Sequence, residues 1–134
     1  MRSSTKNSQV SPKILWAGRI ISALAVLFLL MDGVQKLLET AEVVDITVRL
    51  GYPESIIVNL GIVLIASTVI YVIPRTTVLG AILLTGYLGG AVATHVRTGG
   101  PLFSIVFPVI LGLLIWGGPY LRDKRLRAII PVRR

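Results

Sequence analysis

Asp32 and Lys36 stand four positions apart in the first apolar stretch of the chain. Residues at this spacing share one face of a helix, and the acid-first order is the more favourable one. Charged side chains are costly inside a membrane, by about 2.5–3.5 kcal/mol on insertion scales, so they turn inward and find partners. The spacing therefore allows two interpretations: an ion pair that closes one end of a helical bundle, or one wall of a small polar pocket.

Three other polar residues in or beside apolar stretches could take part in chemistry, namely Asn59, His95 and Arg97. His95 is the single histidine, and an imidazole changes charge near neutral pH. It could therefore move a proton or contact an anionic ligand, although it could equally be a hydrogen-bond donor at the membrane interface. One histidine and one aspartate offer too few ligands for a metal, so neither a metal nor a cofactor is predicted.

The composition indicates a membrane protein. Of 134 residues, 54% are hydrophobic and only 15% are charged, against about 25% charged in a typical soluble domain. The net charge of +8 comes mostly from the two ends of the chain, without the basic stripe of a nucleic-acid-binding domain, so no nucleic-acid partner is predicted. The absence of cysteine excludes disulfides, thiolate nucleophiles and iron–sulfur clusters within the chain.

Four apolar stretches approach the roughly 20 residues that a membrane-spanning helix needs. We predict spans at 14–38, 55–74, 76–96 and 102–121. The turns after the second and third spans are short, which favours antiparallel neighbours. The predicted fold is therefore all-α: an antiparallel four-helix transmembrane bundle over 14–121, flanked by basic segments at 1–13 and 122–134.

The long connection at 39–54 has a helical pattern of its own. Apolar residues in the connection recur at helical spacing and stop at Gly51-Tyr52-Pro53, which predicts a short amphipathic helix in this loop.

The first span includes two charged residues, Arg19 and Asp32. Arg19 can extend to the interface on its long stem, whereas Asp32 cannot reach so far.

Lysine and arginine in the loops predict the orientation. Eleven basic residues fall on the side of the two termini and three on the opposite side. This bias predicts an inner-membrane protein with both termini in the cytoplasm. Four aromatic residues then fall near the inner interface, as a belt: Trp16, Tyr71, Trp116 and Tyr120.

This topology brings residues that are distant in sequence to one end of the bundle. We predict a polar cluster at the outer mouth, made of Asp32, Lys36, Asn59, His95 and Arg97.

Small residues on the third span form a second candidate feature. Gly86 and Gly90 have G-x-x-x-G spacing, with Gly89 beside them, and small residues let helices approach closely in lipid. They predict internal helix packing, with a homodimer face or a contact with a partner membrane protein as the alternative. The basic tail could in addition hold anionic lipid.

Several motifs resemble the DoxX-like family of small membrane proteins. They are Met31-Asp32-Gly33-Val34-Gln35-Lys36-Leu37, Leu50-Gly51-Tyr52-Pro53, the run PRTTVLGAILLTGYLGGAVATHVR (Pro74–Arg97) and WGGPYLRDKRLR (Trp116–Arg127). The resemblance implies a four-helix membrane bundle. Some DoxX relatives are linked to thiosulfate:quinone oxidoreduction or to redox and detoxification complexes. Many carry a glutamate near the start of the second span, where this chain has Asn59-Leu60-Gly61.

Three functional classes follow from these observations. The family resemblance implies an auxiliary or quinone-facing subunit of a membrane redox system. Length and span number also fit a small transporter, although small multidrug transporters rely on an acidic residue deep in the first helix and Asp32 lies near its end. A non-catalytic scaffold that binds a membrane partner is the third class.

The charge bias gives a topology prediction. Reporter fusions after Arg134 and at Arg75 should report cytoplasm, and fusions near Val48 and Gly99 should report the outside. A C-terminus that reports the outside would contradict the orientation and the outer placement of the polar cluster.

Overall fold

The computed structural model describes residues 11–130, and these form helices joined by short turns. The helices are α1 (Pro12–Leu37), α2 (Ala41–Arg49), α3 (Ile57–Val72), α4 (Thr77–Arg97), α5 (Leu102–Arg122) and α6 (Lys124–Ile129). Single 3-10 turns, Glu54–Ile56 and Pro74–Thr76, lead into α3 and α4.

Four of these helices, α1, α3, α4 and α5, are long and apolar enough to cross a membrane. The predicted all-helical transmembrane bundle is therefore confirmed, and α2 occupies the first loop. Segment 1–13 and the far end of 122–134 lie largely outside the described residues. The described part of the tail contains α6, which the sequence did not predict.

Local signals explain where several helices begin and end. Ser11 caps α1, its hydroxyl accepting from the Ile14 N–H at 3.3 Å, and Pro12 follows at the first helical position. The loop after α2 turns at Gly51 and the one after α4 at Gly99, with φ of +95° and +70°. Glycine adopts this left-handed conformation without steric cost, so both chain reversals can be tight.

The spanning helices form a ring in which each packs mainly against two neighbours. α1 lies between α3 and α5, and α4 lies between the same two helices on the opposite side. The centre of the ring is apolar, and Ala25, Leu64, Leu84 and Ile115 are fully buried there. The perimeter is also apolar, with Leu27 66% exposed, as expected where the surrounding solvent is lipid.

Close helix crossings are made at glycines other than those that the sequence singled out. At the α1–α5 crossing, a Cβ added to Gly18 would lie 2.8 Å from the Gly118 carbonyl oxygen. At the α1–α3 crossing, a Cβ on Gly61 would lie 3.0 Å from the Gly33 carbonyl oxygen. A Cβ on Gly80 of α4 would overlap the backbone of α3. Small residues at these points let the helix backbones touch.

Gly86, Gly89 and Gly90 do not pack internally, so that interpretation of the sequence is wrong for this chain. All three are exposed, and a Cβ on any of them would meet nothing within 4 Å. They lie on parts of α4 that no other helix covers. The homodimer and partner alternatives stay predictions.

Tyr71 belongs to the core rather than to an interfacial aromatic belt. It is 2% exposed, and its hydroxyl donates to the Ile115 carbonyl of α5 at 2.7 Å. In a regular helix that carbonyl would accept from the residue four positions later, but Pro119 has no N–H. The tyrosine therefore supplies the hydrogen bond that the proline removes.

Two further donors extend this bond into a network. Ser22 of α1 lies 2.9 Å from the Tyr71 hydroxyl oxygen, and Arg122 donates to Ser22 at 3.2 Å. Because the Tyr71 proton is directed to Ile115, Ser22 must donate to Tyr71. The bonds run in one direction, from Arg122 through Ser22 and Tyr71 to Ile115, and join α1, α3 and α5.

This arrangement predicts coupling between Tyr71 and Pro119. Tyr71→Phe should lower the free energy of unfolding by about 0.5–2 kcal/mol, because the Ile115 carbonyl loses its donor in a dry environment. In a Pro119→Ala background the loss should be smaller, since the introduced alanine supplies the helical N–H that proline lacks. Equilibrium unfolding in detergent micelles measures both effects.

Tyr120→Phe is the matched control, because the Tyr120 hydroxyl forms no hydrogen bond with any residue that the structure describes, and it should leave stability unchanged. Equal losses from Tyr71→Phe with and without Pro119 would contradict the proposed compensation.

Candidate functional site

A cavity of about 510 Å³ lies at the end of the bundle that carries α2. We call it the loop-end cavity. Its walls come from α1, α4 and α5, with Leu60 of α3 at one side, and α2 covers it as a roof. Its size falls within the ~300–1,000 Å³ of typical small-molecule sites. The chemistry of its lining therefore decides which kind of ligand it would accept.

The deep wall of the cavity is apolar and partly aromatic. Phe28 of α1 meets Phe107 of α5 edge to face, with ring centroids 4.8 Å apart. Leu88 and Leu111 complete this wall and are themselves almost fully buried. A ligand that entered here would place its apolar part against these four side chains.

One charged pair lies in the wall formed by α1. The Lys36 ammonium donates to an Asp32 carboxylate oxygen at 2.7 Å, and the two side chains are 13% and 30% exposed. Four residues of helical rise place the two groups on one face, as the spacing predicted. The ammonium has three donors and Asp32 takes one of them, so Lys36 retains donors for a ligand.

The roof is fixed to α4 by two hydrogen bonds. Thr94 donates to the Gly90 carbonyl at 2.8 Å, so its oxygen accepts from the Tyr52 hydroxyl, 2.7 Å away. Arg97 donates to the Leu50 carbonyl at 3.2 Å. This carbonyl lies at the C-terminal end of α2, where a cation interacts favourably with the partial negative charge of the helix dipole. Both bonds hold the segment at the end of α2 against the last turns of α4.

The structure brings together some of the predicted cluster. Asp32, Lys36 and His95 line the loop-end cavity. Asn59 does not: it lies exposed on α3 and forms no hydrogen bond with a described residue. Arg97 does not line the cavity either, and its guanidinium anchors the roof instead.

Gly86 and Gly90 also line the cavity, on the α4 side, whereas Gly89 does not. Since the first two are also exposed, the cavity reaches the surface of the bundle along a strip of α4 that carries no side chains. We infer that this strip faces lipid in a bilayer, and we call it the lateral opening.

Six polar residues that line the cavity were not in the predicted cluster: Gln35, Glu42, Thr47, Tyr52, Tyr87 and Thr94. Tyr87 is half-buried, borders the cavity, and its hydroxyl forms no hydrogen bond with any residue that the structure describes. The available signal was the helical spacing of Tyr87, Thr94 and the neighbouring Ala91, which places them on one side of α4. Tyr52 carried no such signal, because its position depends on the path of the chain after Gly51.

The ligands available for a metal are sparse. Within residues 11–130, no group of three or more His, Cys, Asp or Glu side chains comes together. The donors around the loop-end cavity are instead suited to an organic ligand that accepts hydrogen bonds.

The sequence model of the DoxX-like family matches residues 20–118. This range contains α3 and α4 completely, and it contains α1 and α5 except for the start of α1 before residue 20 and the end of α5 after residue 118. The chain belongs to the DoxX-like family. No curated protein and no solved structure matches it. This DoxX-like protein is therefore a multi-pass membrane protein, and its loop-end cavity lies within the matched region.

The Asp32–Lys36 pair of this DoxX-like protein gives a prediction on stability. Asp32→Asn or Lys36→Met alone should each cost a few kcal/mol, because the remaining charge is left uncompensated, and the double variant should cost less than the sum. A double-mutant cycle on unfolding in detergent should give a coupling of roughly 0.5–3 kcal/mol.

The exposed pair Asp45–Arg49 has the same spacing on α2 and is the matched control. Its cycle should give only about 0.3–0.5 kcal/mol, because both charges stay in water. Additive effects at Asp32 and Lys36 would show that burial does not strengthen the pair.

Proposed function

We propose that the loop-end cavity binds a lipophilic molecule with a hydrogen-bond-accepting head, of the quinone class, and that the protein is an auxiliary, quinone-facing subunit of a membrane redox system. The observation that carries this proposal is the cavity itself: an apolar, partly aromatic wall faces a set of polar side chains inside a membrane-spanning bundle. Family membership supports the redox context.

Three of the polar side chains that line the cavity can donate to carbonyl oxygens, whereas Asp32 and Glu42 can only accept. A quinone carries two such oxygens and no donor, so it needs donors from the protein. Lys36 retains donors beyond its bond to Asp32, the Tyr87 hydroxyl is uncommitted among the described residues, and His95 offers a ring N–H in one of its tautomers. The quinone ring would lie against Phe28 and Phe107, in offset or edge-to-face contact.

The lateral opening supports a ligand that arrives from the bilayer. A lipophilic molecule is concentrated in the hydrocarbon, and Gly86 and Gly90 present no side chain that would obstruct it. The isoprenoid or alkyl tail would remain in the opening and extend into lipid, while the head reaches Lys36. A water-soluble substrate would not need this route.

The charge bias supports an inner-membrane location with cytoplasmic termini. In that orientation the loop-end cavity opens on the outer half of the bilayer, and α2 lies on the outer surface. A partner that exchanges electrons with the bound quinone would then dock near α2.

A binding measurement tests the proposal. The purified protein in detergent is titrated with decylubiquinone, and thermal melting is followed. Binding should raise the unfolding free energy by about 2.7 kcal/mol when the free ligand is at about 100 times its dissociation constant. Gly90→Leu should weaken binding at least tenfold, because the larger side chain occupies the opening.

Gly89→Leu is the matched control. Gly89 is adjacent on the same helix, likewise exposed and free of neighbours, but it does not line the cavity. It should bind decylubiquinone like the parent chain, and both variants should melt at the parent temperature without ligand. No stabilisation of the parent protein, or equal weakening by both variants, would refute the site.

The ion pair also favours a second candidate function, a small transporter, because charged residues in a membrane cavity often mark a substrate path. The fully buried Leu29, Leu64 and Leu84 close the bundle below the cavity, so transport would require this core to open. Uptake of a cationic dye into proteoliposomes that is abolished by Asp32→Asn would favour the transporter over the quinone-facing subunit.

A further inference from the structure

A second cavity, of about 470 Å³, lies at the opposite end of the bundle beside α6. We call it the Arg122 cavity. We propose that it binds the phosphate head of one anionic phospholipid, whose acyl chains remain in the surrounding leaflet. This site is independent of the loop-end cavity, and it narrows the lipid contact expected along the basic tail to one place.

Arg122 is held in position before any lipid arrives. Its Nε donates to the Gly118 carbonyl at 3.3 Å, and one terminal nitrogen donates to the Ser22 hydroxyl at 3.2 Å. Ser22 is itself buried and bonded to Tyr71. The guanidinium therefore loses little conformational freedom on binding, and its remaining N–H groups are available to a phosphate.

Arg122 forms no ion pair with a carboxylate among the described residues, where Asp32 pairs with Lys36 and Asp45 with Arg49. Asp123 also borders the cavity, and one of its oxygens accepts the Arg125 backbone N–H at 2.8 Å and so caps α6. Its negative charge offsets only one of the two arginines that line the cavity, so a net positive charge remains for an anion from outside.

Arg19 supplies a second cation at the rim. Its guanidinium lies over the ring of Trp16, 5.4 Å from the centroid, and the side chain is exposed. Arg19 and Arg122 both line the cavity. A phosphate between them would satisfy two cations at once, which is the usual chemistry of an arginine site for phosphate.

The remaining wall identifies the anion as part of a lipid. It is largely apolar, and Ala23, Val72 and Val78 line it while being exposed on the perimeter of the bundle. In the membrane these side chains contact acyl chains directly. A phospholipid can lay its chains along this wall with its head at Arg122, whereas inorganic phosphate would leave the apolar wall without a partner.

Native mass spectrometry of the purified protein tests the proposal, with phosphatidylglycerol and phosphatidylcholine added in equal amounts. The parent chain should retain phosphatidylglycerol preferentially. Arg122→Gln and Arg19→Gln should each reduce that retention about fivefold, the loss expected for one interfacial cation. Arg125→Gln is the control, because Arg125 is exposed on α6 and does not line the cavity.

Each other outcome overturns the proposal. Equal losses from all three variants would show general attraction to a basic surface, and no loss from Arg19→Gln or Arg122→Gln would show that the cavity is not the site. Displacement of phosphatidylglycerol by millimolar inorganic phosphate would show a site for the free anion. If Arg122→Gln lowers the melting temperature through its bonds to α1 and α5, Arg19→Gln decides the question, because Arg19 makes no hydrogen bond with a described residue.

Discussion

A backbone carbonyl inside hydrocarbon has no water to bond to, and Pro119 creates such a carbonyl at Ile115. The hydroxyl of Tyr71, on α3, donates a hydrogen bond to this carbonyl. The same hydroxyl recruits Ser22 and, through it, Arg122, so one missing N–H organises contacts among three spanning helices. The packing of α1, α3 and α5 at the end of the bundle that carries α6 depends on this network. The orientation of the Arg122 guanidinium depends on it as well.

The two ends of the bundle use polar residues differently. At the end that carries α2, Asp32 and Lys36 neutralise each other, and uncommitted donors surround an apolar wall. At the other end, Arg19 and Arg122 border an apolar wall together with a single carboxylate, Asp123, so positive charge is in excess. The first arrangement suits a neutral acceptor and the second suits an anion. A buried apolar core between them keeps the two environments separate.

Apolar run length and helical spacing predicted the four spans and the loop helix, because both properties are local in sequence. The glycine contacts were not predictable in the same way. Gly86 and Gly90 have the spacing of a packing motif, yet the face on which they lie is decided by how α4 rotates to bury Leu84 and Leu88. The glycines that do pack across α1 and α5 are distant in the chain, and no local pattern links them.

The outcome at the polar cluster has a similar origin. Asp32, Lys36 and His95 line one cavity, whereas the sequence could not say that Asn59 is exposed on α3 or that Arg97 reaches a carbonyl at the end of α2. Those two outcomes depend on helix rotation and on the path of the loop, which are set by contacts between distant parts of the chain.

Gly80 shows how far one such contact can act. Because Gly80 has no side chain, α4 touches the backbone at Tyr71, the residue whose hydroxyl reaches the Ile115 carbonyl. A natural exchange of Gly80 for any larger residue would therefore disturb α5 by way of α3. Position 80 should therefore vary less among relatives than the positions of α4 that face lipid.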